Sequence, residues 1–535
     1  MTLDATTRAA ALDDMTREPV DVLVIGGGIV GAGVARDAAL RGLRTGLVEA
    51  KDFAAGTSSR STKLIHSGMR YMAQGDFEIV RESAQEREIL RHIAPHLARR
   101  CELLIPALSY GEYAKVRVGL WVFDRVARIT GTDRHDVLSA EAAGNLEPCL
   151  QSEDLTTVGR CFEYITDDAR LVIENIRSAA AAGAAIANRA AVVDCLRDDE
   201  GQTIGVTVED ALTGERRPVH ARVVVNAAGP WVDAVRRLEA DDDTRLTLTK
   251  GIHVVVPRAR LPIHRIIAWA AEDGRGVVAI PRRDVTYIGT TDTAYPDPDH
   301  YPTITDDDVK YVLDAASQVF RGAAFRTSDV VGAWAGLRPL LAEEGKAPSE
   351  ISRKHEVMTG PGGMLSVAGG KLTTYRRIAE RVVDAACERL VAQGIAPPTT
   401  ASRTDELTLP GAISGDIDAY RSGLIAGRPD VPSAAIDRLV GLYGAAAAEI
   451  LEDFRGGAIL DEAEVAWTID HEMALTLEDV LERRTRAMLW QVDHGLGQAE
   501  QVAGWMGARL GWDDSERTRQ VEAYRALCAS VTPGS

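Results

Sequence analysis

A buried strand that turns through glycines straight into a helix constrains this chain more than any other feature. The stretch is Asp21-Val22-Leu23-Val24-Ile25-Gly26-Gly27-Gly28-Ile29-Val30-Gly31-Ala32-Gly33. Gly26, Gly28 and Gly31 fill the three positions of G-x-G-x-x-G. The first permits the tight turn, the second lets the backbone approach a pyrophosphate, and the third lets the helix pack closely on the strand, its N-terminal dipole facing the phosphates. A second strand, Thr45-Gly46-Leu47-Val48, ends on Glu49, about twenty residues on. Such an acid suits a ribose 2′-hydroxyl and repels the 2′-phosphate of NADP. A glycine-rich turn alone can be structural. Strand, glycines, helix, second strand and terminal acid in register make a dinucleotide site the favoured reading.

At 535 residues the chain exceeds one compact core, so two or three domains are expected. A net charge of −18 argues against a nucleic-acid partner, because nothing builds a phosphate-tracking basic stripe. It leaves room for a local cationic pocket or a small basic patch on a membrane. Cys101, Cys149, Cys161, Cys195, Cys387 and Cys528 show no C-x-x-C and no metal-ligand spacing, and read as reduced cytosolic thiols. The first eighteen residues carry Asp4, Asp13 and Asp14 and no apolar core of a signal peptide. No apolar run approaches the length of a membrane span, so a cytoplasmic protein is expected.

Along the chain, residues 1–18 read as a polar, disordered leader. A helical pattern over Ser83–Leu97 ends near Pro95. An alanine-rich helix (Leu171–Ala182) stops at Gly183; a strand through Ala191-Val192-Val193, a turn over Asp198–Gly205 and the strand Arg222–Val225 follow. That strand runs into Asn226-Ala227-Ala228-Gly229-Pro230-Trp231, a second small-residue turn of the kind that binds ligands in open α/β sheets. Alternating strands at His253–Val256, Gly276–Ile280 and Thr286–Gly289 predict an antiparallel floor. Val367-Ala368-Gly369-Gly370-Lys371-Leu372-Thr373-Thr374 returns to strand, glycine turn and helix. Pro397 and Pro398 open a polar linker, and from Ser414 onward the pattern is helical, a separate domain.

Several of these segments together resemble the FAD-dependent, quinone-reducing glycerol-3-phosphate dehydrogenases. They are Gly26–Gly31, then Gly56-Thr57-Ser58-Ser59-Arg60-Ser61-Thr62-Lys63-Leu64-Ile65-His66-Ser67-Gly68-Met69-Arg70-Tyr71, Ala94–Leu97, Val225–Trp231, Lys250-Gly251-Ile252-His253, Ile288–Asp292, Gly336-Leu337-Arg338-Pro339, Gly369–Tyr375 and Thr476–Arg486. Ser67-Gly68 stands where the family pattern has a glycine pair. The resemblance implies an α/β fold: a Rossmann-type FAD-binding domain (19–85, 150–245 and 350–395), interleaved with a mixed, antiparallel-sheet substrate domain (86–149 and 246–349) as in DAO-like flavoproteins, plus a C-terminal all-helical domain (405–535). It also implies non-covalent FAD held by Gly26, Gly28, Gly31, Glu49, Thr57, Ser58, Ser59, Ser61, Thr62, Lys63, Leu64, His66, Val192, Ala228, Gly229, Trp231, Gly370, Lys371, Leu372 and Thr373.

Oxidising a secondary alcohol beside a phosphate needs a hydride acceptor, a base for the hydroxyl proton and a cationic cradle. Arg70, Arg338 and Lys371 match family positions around the substrate phosphate, with Tyr71 and Thr373 beside them. Arginine meets phosphate oxygens as a fork, and lysine adds a mobile point charge. Such cations are more often surface ion pairs, but Arg338 lies between Leu337 and Pro339 and Lys371 in a glycine turn, neither a solvated helix face. His253 is favoured as base and His66 as a flavin-side hydrogen-bond partner, with Arg338 shaping the proton path. The helix near Leu372 would aim its N-terminus at the flavin pyrimidine.

Tyr113–Arg128 interleaves Lys115, Arg117, Arg125 and Arg128 with Val118, Leu120, Trp121, Val122 and Phe123; it can lie in a bilayer interface or pack as an ordinary domain helix. The implied reaction is oxidation of sn-glycerol 3-phosphate to dihydroxyacetone phosphate, FADH2 being reoxidised by a membrane quinone at the inner face of the membrane. The alternatives are a glycerol-3-phosphate oxidase producing peroxide, an amine or amino-acid oxidase of the same fold, and a flavin-binding protein without turnover. Arg483, Arg484 and Arg486 alternate with Glu478, Asp479 and Glu482, by itself an ion-paired helix face; homodimerisation, docking and stability are all open roles for that domain.

Overall fold

The strand Val20–Ile25 is buried at every residue but Asp21, and it lies between parallel neighbours on both sides. That explains the apolar run Val22–Ile25, since a parallel strand covered on both faces has no solvent side. In the computed structural model, which describes residues 2–66, 68, 72, 75–150, 155–298, 301–320, 323–342, 355–396, 400–456 and 460–532, it is central to an eight-stranded sheet. The order across is His355–Thr359, Leu365–Gly369, Arg216–Asn226, Val20–Ile25, Thr45–Val48 and Ala185–Ala187, with Thr203–Asp210 and Ala190–Arg197 continuing from the early half of Arg216–Asn226. Pairing is parallel from Leu365–Gly369 to Ala185–Ala187, so their carboxyl ends open one cleft. The helices Ile29–Leu40, Asp168–Ala181 and Tyr375–Ala392 share one core on this sheet. Gly33 lets two of them close up: a Cβ there would stand 2.9 Å from Tyr375 Cδ2.

Among the described residues the second sheet has ten strands. Leu246–Pro257 pairs antiparallel with Val285–Gly289 on one side and Gly332–Leu341 on the other. Gly276–Arg282, Ile266–Ala270, Arg99–Ala107, Thr157–Ile165 and the short Leu64–Ile65 extend it. Ile252, Val254 and Val256 face a core with Val309, Val312 and Leu313 of the helix Asp306–Val319. The alternate residues therefore face the cleft. Thr157–Ile165 corrects the domain limits drawn from sequence: it falls within 150–245, assigned to the FAD unit, yet is a strand of the substrate sheet.

Beyond residue 416 the described elements are helical, as expected, from Ile417–Gly427 to Asp514–Val531, with a π-helical turn at Asp479–Arg484. Met473 and Leu475 enter the core of the first sheet, so this domain is fastened to the FAD unit.

The leader is the clearest correction. Residues Ala5–Arg17 form a helix with a capping box between Asp4 and Thr7. Its Leu12 and Met15 pack against Val20, Leu23 and Val224, and Leu3 exchanges backbone hydrogen bonds with Asp470 and Met473. Arg8, 3% exposed, pairs with Asp210 at 2.6 Å and donates to the carbonyls of Asn188 and Arg189. Three aspartates in eighteen residues suggest a solvated tail; the few apolar residues nonetheless fall on one face. Arg8→Ala should cost about 3 kcal/mol locally, the penalty for leaving a buried carboxylate unpaired, and be read as a lower thermal midpoint and faster proteolysis before Val20. A variant as resistant as the parent would return these residues to a loose tail.

Candidate active site

The cleft at the carboxyl ends of the parallel strands holds a cavity of about 460 Å³. Gly26 takes φ +108°, and a Cβ there would sit 2.7 Å from the Ala227 carbonyl oxygen, where two crossing turns touch. At Gly31 a Cβ would lie 1.9 Å from the Gly26 carbonyl oxygen, so the helix could not seat. Gly28 caps that helix without a side-chain hydrogen bond and lines the cavity. Glu49 Oε2 accepts from the Gly27 N–H at 2.7 Å and Oε1 from the Lys51 N–H at 2.8 Å. Burial nevertheless pushes its carboxyl above the usual range, its backbone donors opposing.

Thr57, Ser58, Ser61, Thr62, Leu64, His66, Val192, Ala228, Gly229, Trp231, Gly370, Lys371, Leu372 and Thr373 line this cavity, bringing together most of the predicted set. Several hydroxyls are already engaged within the protein. Ser58 Oγ accepts from the Ile29 N–H, Thr57 donates to the Leu337 carbonyl, and Ser61 donates to Asp168. Ser59 and Lys63 are outside the lining, a correction to their reading as flavin ligands: Ser59 Oγ donates to the Gly56 carbonyl, and Lys63 is fully buried in an ion pair with Asp168 at 3.0 Å. Burial and neighbouring Arg486 lower the Lys63 ammonium to about 8, against the pull of Asp168. Arg70 and Tyr71 lie outside the described residues.

At the cavity's other end, register does the positioning. Thr249, Gly251 and His253 stand opposite Arg338, Gly336 and Trp334. By strand alternation these six share one face, with the glycine pair between the arginine and the histidine. A Cβ on Gly251 would fall 2.1 Å from Arg338 Nη2, and one on Gly289, opposite His253, 2.3 Å from His253 Cδ2. The glycines thus clear room for the two functional side chains. Arg338 is fixed by Asp292 at 3.1 Å, by Thr290 Oγ1 at 2.9 Å and by the Thr291 carbonyl at 3.0 Å. His253 stacks on Trp334, ring centroids 4.8 Å apart, and its Nε2 lies 3.0 Å from Thr62 Oγ1. Its buried Nδ1 has no hydrogen-bond partner among the described residues. Burial, then Lys63 and Arg338, hold this imidazole well below its ordinary pKa, so it is neutral at pH 7.

Lys371 follows Gly369 (φ +77°) and Gly370 (φ +106°), left-handed positions that suit glycine. Thr373 Oγ1 donates to the His66 carbonyl at 3.3 Å. Thr374 caps the helix Tyr375–Ala392 without a side-chain hydrogen bond, leaving the first-turn amides to other partners. Sequence reasoning overlooks Gly251, Gly289, Trp334 and Asp168. Gly251 carries a signal, since a glycine in the interior of a strand marks a close approach.

These residues fit a dinucleotide such as FAD. A turn that excludes every Cβ at Gly26 and Gly31, an uncapped helix N-terminus and a carboxylate at the end of the second strand suit a pyrophosphate and a ribose. The comparisons agree. A family model described as FAD dependent oxidoreductase matches residues 21–376, and one for the C-terminal domain of alpha-glycerophosphate oxidase matches 402–517. The aerobic glycerol-3-phosphate dehydrogenase of Bacillus subtilis (strain 168) is 36% identical over 539 residues, 97% of this chain and 96% of that protein. Its namesake in Staphylococcus haemolyticus (strain JCSC1435) is 42% identical over 394 residues, 73% of this chain and 71% of that one. The solved glycerol-3-phosphate dehydrogenase from Bacillus halodurans, complexed with FAD, superposes with a TM-score of 0.82 at 33% identity, covering 99% of this chain and 98% of that one. With identity at this level running through both the flavin and the helical domains, the chain belongs to the FAD-dependent glycerol-3-phosphate dehydrogenase family.

Proposed function

We propose that this protein oxidises sn-glycerol 3-phosphate to dihydroxyacetone phosphate and passes the electrons to a membrane quinone. The observation that carries the reading is the row on one sheet face: Arg338, the glycine gap, then His253, at one end of the dinucleotide cleft. Bound FAD supplies the hydride acceptor.

Arg338, already held by Asp292 and Thr290, receives the phosphate, and Lys371 adds a second positive charge from the glycine turn that lines the same cavity. Holding the fork in place before substrate arrives lowers the entropic cost of orienting the carbon that is oxidised. His253 takes the hydroxyl proton. The neutral ring offers one lone pair for it: Nε2 lies 3.0 Å from Thr62 Oγ1, a contact either tautomer makes, and Nδ1 has no partner among the described residues. Two nearby cations and burial keep that lone pair available, and they oppose a lasting imidazolium, which favours handing the proton onward. A substrate amine would gain nothing from an arginine and a lysine lining one pocket, and a phosphate dianion gains more from two cations than a single carboxylate does.

The helix Tyr110–Val126 supports the membrane part of the reading. Tyr110, Val118 and Trp121 are exposed on it, beside Lys115, Arg117 and Arg125, and only Leu120 and Phe123 are buried. No described helix is long and apolar enough to cross a membrane, so contact through this face would be interfacial.

Three outcomes test the proposal. Anaerobic addition of glycerol 3-phosphate should bleach the flavin band, glycerol and lactate should not, and Arg338→Ala should lose bleaching while retaining FAD; a protein that carries FAD and stays yellow would overturn the substrate. His253→Gln should lower kcat by about 10²–10⁴, and in the parent enzyme the acid limb of kcat should lie below about pH 6.5, the ordinary histidine value. The folded-state pKa of His253 is depressed, so the neutral, active form persists until the pH falls through that lowered value; a limb at or above the ordinary value would move the base elsewhere. In air, quinone-containing anionic vesicles should bind the enzyme and take up its electrons with little peroxide formed, and Trp121→Glu should weaken both; stoichiometric peroxide would assign the oxidase reaction instead.

A further inference from the structure

One element of the site comes from the far end of the chain. Arg486 belongs to the C-terminal domain, is fully buried, and adopts φ +62°, a left-handed conformation uncommon for a bulky side chain. Its Nη2 donates to Asp168 Oδ1 at 2.9 Å and to the Ser59 carbonyl at 3.0 Å, its Nε lies 3.3 Å from Asp167, and its Nη1 donates to the Glu482 carbonyl. Asp168, at the start of the helix Asp168–Ala181, passes that grip on. Oδ2 accepts both the N–H of Ser61 at 3.0 Å and its hydroxyl at 2.7 Å, and both oxygens receive Lys63 Nζ. Lys63 also donates to the Ser59 carbonyl. Between Ser61 and Lys63 stands Thr62, whose carbonyl accepts from Tyr287 and whose hydroxyl meets His253 Nε2 at 3.0 Å.

The other buried arginines of this domain make different contacts. Arg483 and Arg484 pair with Asp52, and Arg438 pairs with Glu464 inside the domain. Arg483 and Arg484 clamp the helical domain to the FAD unit; among the described residues, none of their hydrogen bonds reaches the turn Ser59–Lys63. Arg486 is aimed at that turn.

We propose that Arg486 is a positioning residue of the active site: through Asp168 it fixes the turn Ser61–Lys63, and through Thr62 it sets the orientation of the His253 ring. The C-terminal domain is thereby a working part of the catalytic apparatus. The inference rests on the reading of His253 as the proton acceptor, and it adds that the tautomer and tilt of that ring depend on a side chain which never touches substrate.

The test has one readout that needs no turnover. In protein labelled with ¹⁵N-histidine, the His253 ring signals are assigned among the 11 histidines by their loss in His253→Gln. Arg486→Gln and Thr62→Val should both shift those signals, and in the same direction. Signals that move in Thr62→Val and stay in place in Arg486→Gln would overturn the proposal, whatever the enzyme oxidises. The second readout is anaerobic flavin bleaching at saturating glycerol 3-phosphate, with FAD content measured alongside. Each single variant should slow bleaching about tenfold with KM little changed, and the double variant should be no slower than about tenfold, because residues acting through one path are not additive. A double variant slowed about a hundredfold, or an Arg486→Gln enzyme that bleaches at the parent rate and only melts earlier, would make Arg486 a domain clamp. If Arg486→Gln does not fold, Ser61→Ala cuts the same path beyond Asp168: shifted ring signals and slowed bleaching would support the path, and unmoved signals would overturn it. A parent enzyme that never bleaches would defeat the functional proposal alone, leaving the ring signals to decide this one.

Discussion

Charge taken out of water must be cancelled where it lies, and that requirement joins the parts of this protein. Arg170, Arg483, Arg484 and Arg486 are each at most 1% exposed. Beside local partners such as Glu174 and Asp479, they reach carboxylates far off in the sequence: Asp52 follows the second strand, Asp168 opens a helix of the FAD unit, and Glu472 ends a helix of the C-terminal domain. Asp52 alone receives both Arg483 and Arg484. Such a seam contributes little net stability over apolar packing, because desolvation offsets most of the attraction. It does tolerate few other arrangements, since any shift strands a charge without a partner. The FAD unit and the helical domain are thereby held in one alignment.

Within the cleft, chemistry depends on what has been left out as much as on what is present. Gly251 and Gly289 remove side chains from a face that would otherwise be packed flat, and the space goes to one guanidinium and one imidazole, while Gly336 admits the backbone of Arg60. Trp334 then backs the imidazole, and Asp292 the guanidinium. Both functional groups arise on regular antiparallel strands, whose hydrogen bonds fix them more tightly than a loop could.

The glycine turn, the acid at Glu49 and the second turn at Ala227–Trp231 are legible in sequence because each obeys a local rule: a backbone approach, a strand end, a small-residue crossing. The antiparallel floor is legible from alternation, and the helical character of the end of the chain from composition. Lys63 shows where local reading stops. It lies in a segment whose neighbours line the cavity, yet its ammonium turns to Asp168, over a hundred positions on, and no pattern near residue 63 reports that partner. The alternating charges of Glu478–Arg486 read as an ion-paired helix face, and Arg483 does pair with Glu478, Asp479 and Glu482, but no local pattern reports the further partners Asp52 and Asp168. Arg8 repeats the lesson at the other end of the chain.

The helix Ala5–Arg17 carries its own cap and can form as soon as it leaves the ribosome. Its neighbours cannot meet it so soon. Leu3 hydrogen-bonds to Asp470 and Met473, which emerge some hundreds of residues later. At about 5–20 residues per second, that delay is on the order of 25 to 90 s. During synthesis Leu12 and Met15 can close on strands made within the first 224 residues, whereas the backbone at Leu3 waits for the helical domain, so the first and last parts of the fold are joined only near the end of synthesis.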